Sequence, residues 1–171
     1  MKQIPRLFVR VDDDGALYTT EMVTPGCEWV IEGEGVATEK VDGVLCAIIE
    51  GELFREDDGG GWFELNGRTE LDRNLVHALN NTPWVRDDGT CEAVGVHFKS
   101  NPYGLDDDFL ERHGRIKHLN CPRDFAGIRE YLRTHDIEGI VWYRGNGEMC
   151  VVDREDFGFD WPVRGDGNGA F

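Results

Sequence analysis

The apolar residues of this 171-residue chain fall in short runs that are separated by turns rich in glycine and aspartate. Runs of this kind predict β-strands, because helices of globular proteins need longer stretches with a 3.6-residue repeat. Glu50-Gly51 and Asn146-Gly147 each lie between two such runs, so we predict two β-hairpins. The predicted strands are residues 7–11, 28–32, 44–49, 52–55, 91–99, 138–143 and 148–152.

Two segments have helical spacing instead. Leucines four residues apart predict a helix over residues 70–80, and a stripe of Phe125, Ile128 and Leu132 predicts another over residues 122–134. Pro122 suits the first helical position of the second. We therefore predict an α+β fold with antiparallel sheets, a single domain over residues 1–162, and a flexible glycine-rich tail over residues 163–171.

The charge balance is strongly acidic, with 18 Lys and Arg against 34 Asp and Glu and a formal net charge of −16. Such a surface repels polyanions, which argues against a passive nucleic-acid binder unless the basic residues gather in one cleft. No apolar run approaches the roughly 20 residues of a membrane helix, so we expect no membrane-spanning segment. The first residues contain no apolar signal-peptide core, and we expect a cytoplasmic protein.

The cysteines and histidines show no metal-binding pattern. The 5 cysteines lie far apart, are odd in number and form no C-x-x-C pair, so we expect reduced, mostly buried thiols. No two of the 5 histidines have the spacing of metal ligands. Residues 106–108, three consecutive aspartates, lack the spaced ligands of a calcium loop and are predicted to be a solvated turn.

Three polar residues stand beside predicted strands in positions that suit chemistry. Lys40, in Thr38-Glu-Lys-Val-Asp-Gly43, is either a nucleophile at the mouth of a pocket or a solvent-exposed lysine in a turn. Glu92 opens an apolar strand and is either an outward-facing edge residue or a pocket ligand. Glu138 directly precedes an apolar run that is predicted to be buried. It is either a carboxylate at the end of a sheet, where it could bind hard cations or ribose hydroxyls, or a structural residue.

In this order, the motifs resemble those of the ATP-dependent ligases that form lysyl-AMP at a K-x-D-G motif. Within that nucleotidyltransferase superfamily, residues 36–162 are similar to the RNA ligase 1 family of animals and its short bacterial and phage relatives. The segments that carry the resemblance are residues 38–43, Asn101-Pro-Tyr-Gly-Leu105, His113-Gly114, Glu138-Gly-Ile-Val-Trp142 and Phe157-Gly-Phe-Asp-Trp-Pro162.

The resemblance implies an ATP-grasp-like nucleotidyltransferase (ligase adenylation) domain, with antiparallel sheets around an ATP cleft. It implies an ATP-dependent RNA ligase that uses Mg²⁺ and joins RNA 5′-phosphate and 3′-hydroxyl ends. The implied roles are catalysis for Lys40 and Asp42, nucleotide binding for Glu39, Arg55, Glu92 and Phe98, and metal binding for Glu138. Phe98 is a candidate for stacking on adenine, with a core position as its alternative.

One segment departs from the family pattern. Relatives carry one or two lysines where this chain has Val151 and Asp153, which removes positive charge from the expected α-phosphate site. Arg154 and Lys99 are the candidates to replace that charge. The departure leaves three alternatives open: a degenerate ligase-like protein that binds nucleotides or RNA ends, another nucleotidyltransferase such as one that transfers GMP, and an acidic protein that mimics nucleic acid.

Overall fold

The computed structural model describes residues 4–57, 60–113 and 119–163 of the chain. The chain divides into two compact units. Among the described residues, the middle unit comprises residues 41–113, and the terminal unit comprises residues 4–40 and 119–163. The named strands pair antiparallel in three sheets, which confirms the α+β class with antiparallel sheets. The nucleotidyltransferase fold and the single domain over residues 1–162 stay predictions.

The terminal unit contains a hairpin, a three-stranded sheet and short helices. The sheet has the order β10-β9-β3, and the hairpin pairs β1 with β2. Its elements are β1 (Phe8–Asp13), β2 (Ala16–Val23), α1 (Glu28–Ile31), β3 (Val36–Lys40), α3 (Phe125–Thr134), β9 (Gly139–Tyr143), β10 (Met149–Asp153) and a 3₁₀ helix (Arg154–Phe157).

Strand alternation gives the three-stranded sheet two different faces, because successive side chains point to opposite sides. One face packs into a buried core with Ile128 and Leu132 of α3. The sheet residues of that core are Ala37, Ile140, Trp142, Cys150 and Val152. The residues that alternate with them along each strand lie on the opposite face, which therefore carries Thr38, Lys40, Val141, Val151 and Asp153. We call this second side the Lys40 face.

The middle unit is a five-stranded sheet with one helix. Its strand order is β6-β5-β4-β7-β8. Its elements are β4 (Val44–Ile49), β5 (Glu52–Glu56), β6 (Trp62–Glu64), α2 (Glu70–Asn81), β7 (Gly89–Val94) and β8 (Phe109–Arg112). The core joins Leu75 and Ala78 of α2 to strand residues such as Ile48 and Leu110.

The two predicted hairpins and both predicted helices are confirmed, with shifts at their ends. The second helix begins at Phe125 rather than Pro122, because the Asp124 side chain accepts a hydrogen bond from the Gly127 backbone N–H (2.8 Å) and caps the helix there. The strand predicted over residues 91–99 ends at Val94, and the chain then turns through left-handed φ angles of 48° to 59° at residues 99–101.

The strand predicted over residues 28–32 is wrong, since Glu28–Ile31 form the short helix α1 and Glu32 caps it. Trp29 and Val30 are both buried, which consecutive residues of a helix achieve but the alternation of a one-sided strand does not. The Glu28 side chain also accepts a hydrogen bond from the Gly26 backbone N–H (2.7 Å) in the preceding turn.

The expectation of five reduced cysteines is wrong for one pair, because Cys27 and Cys150 form a disulfide. The fold brings their Cα atoms to 6.3 Å across a sequence separation of 123 residues, which no spacing rule reveals. Cys46 and Cys91 are buried free thiols, as expected. No described helix has the length and apolar character needed to cross a membrane. Residues 164–171 of the predicted tail lie outside the described residues.

Candidate active site

Lys40 ends β3 on the Lys40 face, and its amine meets two carboxylates. Nζ forms an ion pair with Glu138 Oε1 and lies 4.0 Å from Asp153 Oδ2. The Lys40 side chain is 27% exposed and that of Glu138 is 13% exposed. The structure thus brings together the predicted nucleophile and the predicted metal ligand, within the terminal unit.

Gly139 makes this arrangement possible. Antiparallel pairing places Lys40 opposite Gly139, and Gly139 opposite Asp153, so the three lie in one row across the sheet. A Cβ atom at Gly139 would lie 2.5 Å from the carbonyl oxygen of Val152 and 2.8 Å from Asp153 Cβ. Because both distances are shorter than real Cβ contacts, no side chain fits at position 139. The space between the Lys40 amine and the Asp153 carboxylate is therefore not filled by a side chain from Gly139.

Asp153, at a position where the resemblance leads us to expect lysine, has a structural role. Its side chain accepts the Asp156 backbone N–H (3.3 Å), and the Asp156 side chain accepts the Asp153 backbone N–H (2.9 Å), which caps the 3₁₀ helix. Burying two carboxylates costs free energy unless cations and hydrogen bonds compensate.

Two arginines of the N-terminal segment supply that compensation. Arg6 Nη1 donates to Asp153 Oδ2 (3.0 Å) and Asp156 Oδ2 (2.8 Å). Arg10 Nε donates to Asp156 Oδ1 (2.7 Å), and its Nη2 lies 3.4 Å from the exposed Glu155. This cluster was not predictable from the sequence, because nothing in the pattern of residues 6–10 points to residues 153–156.

A cavity of about 360 Å³ borders this cluster in the terminal unit. It is lined by Glu138, Asp153, Arg154, Glu155, Phe159, Asp160 and Trp161. Arg154 was a sequence candidate for the missing positive charge. Its guanidinium instead donates to the backbone carbonyls of Leu132, His135 (3.0 Å) and Asp160 (2.8 Å), so it ties the cavity wall to the end of α3.

Two other predicted site residues are held by partners in the middle unit. Arg55 Nε donates to Asp72 Oδ1 (3.2 Å). Burial raises the pKa of Asp72, but hydrogen bonds from Thr69, Asn66 and Arg55 outweigh it and leave the pKa below its ordinary value. Asp72 therefore stays ionised and fixes Arg55 against the start of α2.

Glu92 is paired with a histidine whose role the sequence did not reveal. His113 Nε2 lies 3.2 Å from Glu92 Oε1, and His113 Nδ1 lies 2.8 Å from the hydroxyl of Thr90. Since a carboxylate only accepts, Nε2 carries the hydrogen that Glu92 receives. The pairing of β7 with β8 sets up this contact, so it was detectable only once the strand neighbours were known.

The remaining predicted residues occupy less distinctive places. The Asp42 backbone N–H donates to the hydroxyl of Tyr103. Phe98 is 1% exposed within the core of the middle unit, which favours the core alternative over stacking on adenine. Glu39 lies in β3. The pKa of Tyr131 is raised mainly by burial, then by the nearby Cys121, and least by the charge of Glu39. Lys99 belongs to the middle unit.

The sequence predicts a solvated turn at residues 106–108, but one of its three aspartates is buried in the structure. Asp108 is fully buried and accepts the His97 backbone N–H (3.0 Å), with the His97 ring 2.7 Å away. His77, Asp107 and Asp108 also hold potential ligand atoms within 4.8 Å of one another. His118 lies outside the described residues.

Comparison with known proteins decides the family. The family model of RNA ligase 1 matches residues 75–167, more than half of the chain. The chain belongs to the RNA ligase 1 family. The match covers Glu92, Phe98, Glu138 and Asp153, while Lys40 lies before it.

Individual members of the RNA ligase 1 family match a shorter segment. RNA ligase 1 of Rattus norvegicus is 36% identical over 83 residues, covering 43% of this chain and 26% of the relative. RNA ligase 1 of Mus musculus is also 36% identical over 83 residues (43% and 25%), and that of Danio rerio is 31% identical over 83 residues (43% and 26%). The match therefore spans about a quarter of the length of these relatives.

Proposed function

We propose that this RNA ligase 1 family member is an ATP-dependent RNA ligase that joins RNA 5′-phosphate and 3′-hydroxyl ends through a lysyl-AMP intermediate at Lys40. The observation that carries the proposal is the ion pair of Lys40 Nζ with Glu138, a residue that also lines the cavity of about 360 Å³. A lysine paired with a carboxylate at a cavity of this size suits nucleotidyl transfer better than a lysine in bulk solvent. We also propose a cytoplasmic location.

Three in-line displacements at phosphorus make up the proposed reaction. The Lys40 ammonium first gives a proton to solvent, and the resulting amine attacks the α-phosphate of ATP. The N–P bond forms as the nitrogen gives a second proton to solvent, the bridging P–O bond breaks and pyrophosphate leaves. An oxygen of the RNA 5′-phosphate then attacks the lysyl-AMP, the N–P bond breaks and Lys40 regains its amine. Finally the RNA 3′-hydroxyl attacks the activated 5′-phosphate, loses its proton and releases AMP.

The carboxylates beside Lys40 fit the expected divalent cation. Glu138 and Asp153 offer hard oxygen atoms next to the amine and line the same cavity, which is the donor chemistry that Mg²⁺ prefers. When bound, Mg²⁺ neutralises phosphate charge. The roles that the resemblance implies for Asp42, Glu39, Arg55, Glu92 and Phe98 remain proposals.

A second candidate is a ligase-like protein that binds nucleotides or RNA ends without transfer. Asp153 favours it, because this position carries a carboxylate 4.0 Å from Lys40 Nζ where relatives place a cation. Charge neutralisation of the transferred phosphate commonly contributes about 10²–10³ in rate, so its loss leaves binding without efficient transfer. A third candidate, transfer of GMP, differs from the leading one in the nucleotide used.

Ligation of a 5′-phosphorylated oligoribonucleotide tests the function directly. With Mg²⁺, we expect joined product with ATP, none with GTP and none from Lys40→Ala. The matched control is Arg133→Ala, since Arg133 is exposed and pairs only with exposed Glu130 among the described residues. Product with GTP alone would favour GMP transfer. Binding of ATP by the wild-type protein without any joined product would favour the non-catalytic candidate.

A further inference from the structure

The N-terminal segment extends the edge of the sheet that carries Lys40. Leu7 N donates to the carbonyl of Val151 (2.8 Å), and Val151 N donates to the carbonyl of Pro5 (3.0 Å). Arg6 therefore forms a parallel bridge with Val151, a residue of the Lys40 face. The backbone thus fixes Arg6 beside the strand that contains Asp153.

One carboxylate oxygen joins Arg6 to Lys40. Asp153 Oδ2 accepts from Arg6 Nη1 at 3.0 Å and lies 4.0 Å from Lys40 Nζ. The two cations approach the same atom, so an anion that contacts the Lys40 amine has the Arg6 guanidinium within reach. Coulomb attraction from both is stronger beside a partly buried cluster than in bulk water.

Only one nitrogen of Arg6, Nη1, holds the side chain in place among the described residues. Nη1 makes both hydrogen bonds, to Asp153 and Asp156, and among the described residues Nε and Nη2 donate none. Nη2 lies 3.8 Å from a carboxylate oxygen of Glu155. With 31% of the side chain exposed, these donors form a fixed edge of the kind that binds phosphate oxygens.

Other described arginines of the terminal unit are engaged elsewhere. Arg154 and Arg123 donate to backbone carbonyls, and the guanidinium of Arg129 lies 5.7 Å from the ring centre of Phe159. Arg144 pairs with Glu34 and Glu148, and Arg133 pairs with Glu130. Arg10 shares the anchor of Arg6 through Asp156.

We propose that Arg6 is a phosphate-binding residue of the Lys40 site, held in place by Asp153, Asp156 and Arg10. The proposal rests on the proposed function, which brings phosphate groups to Lys40. Its ligand is a phosphate group carried either by a nucleoside triphosphate or by the 5′ end of an RNA. Arg6 places a guanidinium beside Lys40, where Val151 and Asp153 provide none.

Equilibrium binding tests the proposal without any covalent step. The probes are α,β-methylene-ATP with Mg²⁺, and one oligoribonucleotide with either a 5′-phosphate or a 5′-hydroxyl. For Arg6→Ala relative to Arg133→Ala, we expect about 10- to 100-fold weaker binding of at least one phosphate-bearing probe and less than twofold change for the 5′-hydroxyl RNA. If the RNA 5′-phosphate is the ligand, log of the association constant plotted against log of the salt concentration has a negative slope, and Arg6→Ala makes that slope about 0.7 less steep.

Arg6→Lys separates phosphate binding from structural support, because it keeps one charge but loses the planar fork. A folded Arg6→Lys protein, judged by its circular dichroism melt, should bind the affected probe about three- to tenfold more weakly. Binding of every probe within twofold of the control would overturn the proposal, as would equal losses for 5′-phosphate and 5′-hydroxyl RNA with no loss for the nucleotide. Arg6-dependent phosphate binding without covalent AMP would retain this inference and remove the ligase function.

Discussion

The two units compensate the charges on their sheets in different ways. In the middle unit, Arg55 is bound by Asp72 and Glu92 is bound by His113, so each of these two charged residues has its own partner. In the terminal unit the charges are shared: Lys40 meets two carboxylates. One of them, Asp153, is also a partner of Arg6.

The difference supports the proposed role of the terminal cluster in catalysis. A simple pair is what burial of a charge requires, since an unpaired buried charge is costly. A shared cluster goes further, because it fixes several charges in one place before any ligand arrives, and such preorganised charge is the main source of catalysis in phosphoryl transfer. We therefore expect substitutions in the terminal cluster to affect catalysis, and those of Arg55, Asp72 and Glu92 in the middle unit to affect mainly stability or binding.

The largest expected difference is between two glutamates, Glu138 in the terminal unit and Glu92 in the middle unit. Glu138→Gln removes the carboxylate that pairs with Lys40, and we expect transfer of AMP to the protein to slow by about 10²–10³. Glu92→Gln keeps a hydrogen-bond acceptor for His113, and we expect a loss of about tenfold or less. Single-turnover kinetics with ATP measure both. Equal losses in the two variants would break the comparison.

A glycine substitution tests how tightly the terminal sheet is built. Gly139→Ala places a Cβ 2.5 Å from the carbonyl oxygen of Val152, and we expect a loss of about 2–3 kcal/mol in the free energy of unfolding. Gly145→Ala is the matched control, because a Cβ there meets nothing within 4 Å. Urea denaturation of both variants gives the difference. A Gly139→Ala protein as stable as the control would contradict the close approach of β9 and β10.

The smallest expected effect is the pH dependence of the Arg55–Asp72 pair. The lowered pKa of Asp72 means that its ionised form stabilises the fold above pH 3.8, its ordinary value, and that this contribution disappears as the pH falls through the lower folded value. Asp72→Asn should therefore cost about 1–2 kcal/mol at pH 7 and progressively less below pH 3.8. Unfolding curves at several pH values check this. A cost that does not change with pH would show that charge is not what Asp72 contributes.

The sequence predicted the local elements better than the contacts between distant segments. The hairpin turns at Glu50-Gly51 and Asn146-Gly147 and the leucine spacing of α2 are encoded within a few residues, and all are confirmed. The region of residues 28–32 failed because so short an apolar run does not distinguish a strand from a helical turn.

The candidate site was predictable only where a motif carried it. Lys40 and Glu138 belong to two separate sequence motifs, and the pairing of β3 with β9 brings them together. Arg6 and Arg10 were missed, because their contacts with Asp153 and Asp156 span about 150 residues and depend on how the N-terminal segment joins β10. The Cys27–Cys150 disulfide was missed for the same physical reason.

The intact mass of the protein after incubation with ATP and Mg²⁺, followed by peptide mapping, tests the central claim most directly. The account predicts an added AMP on Lys40 in the wild-type protein and in Arg133→Ala, and none in Lys40→Ala. A wild-type protein whose mass does not change, or an AMP found on a residue other than Lys40, would contradict it.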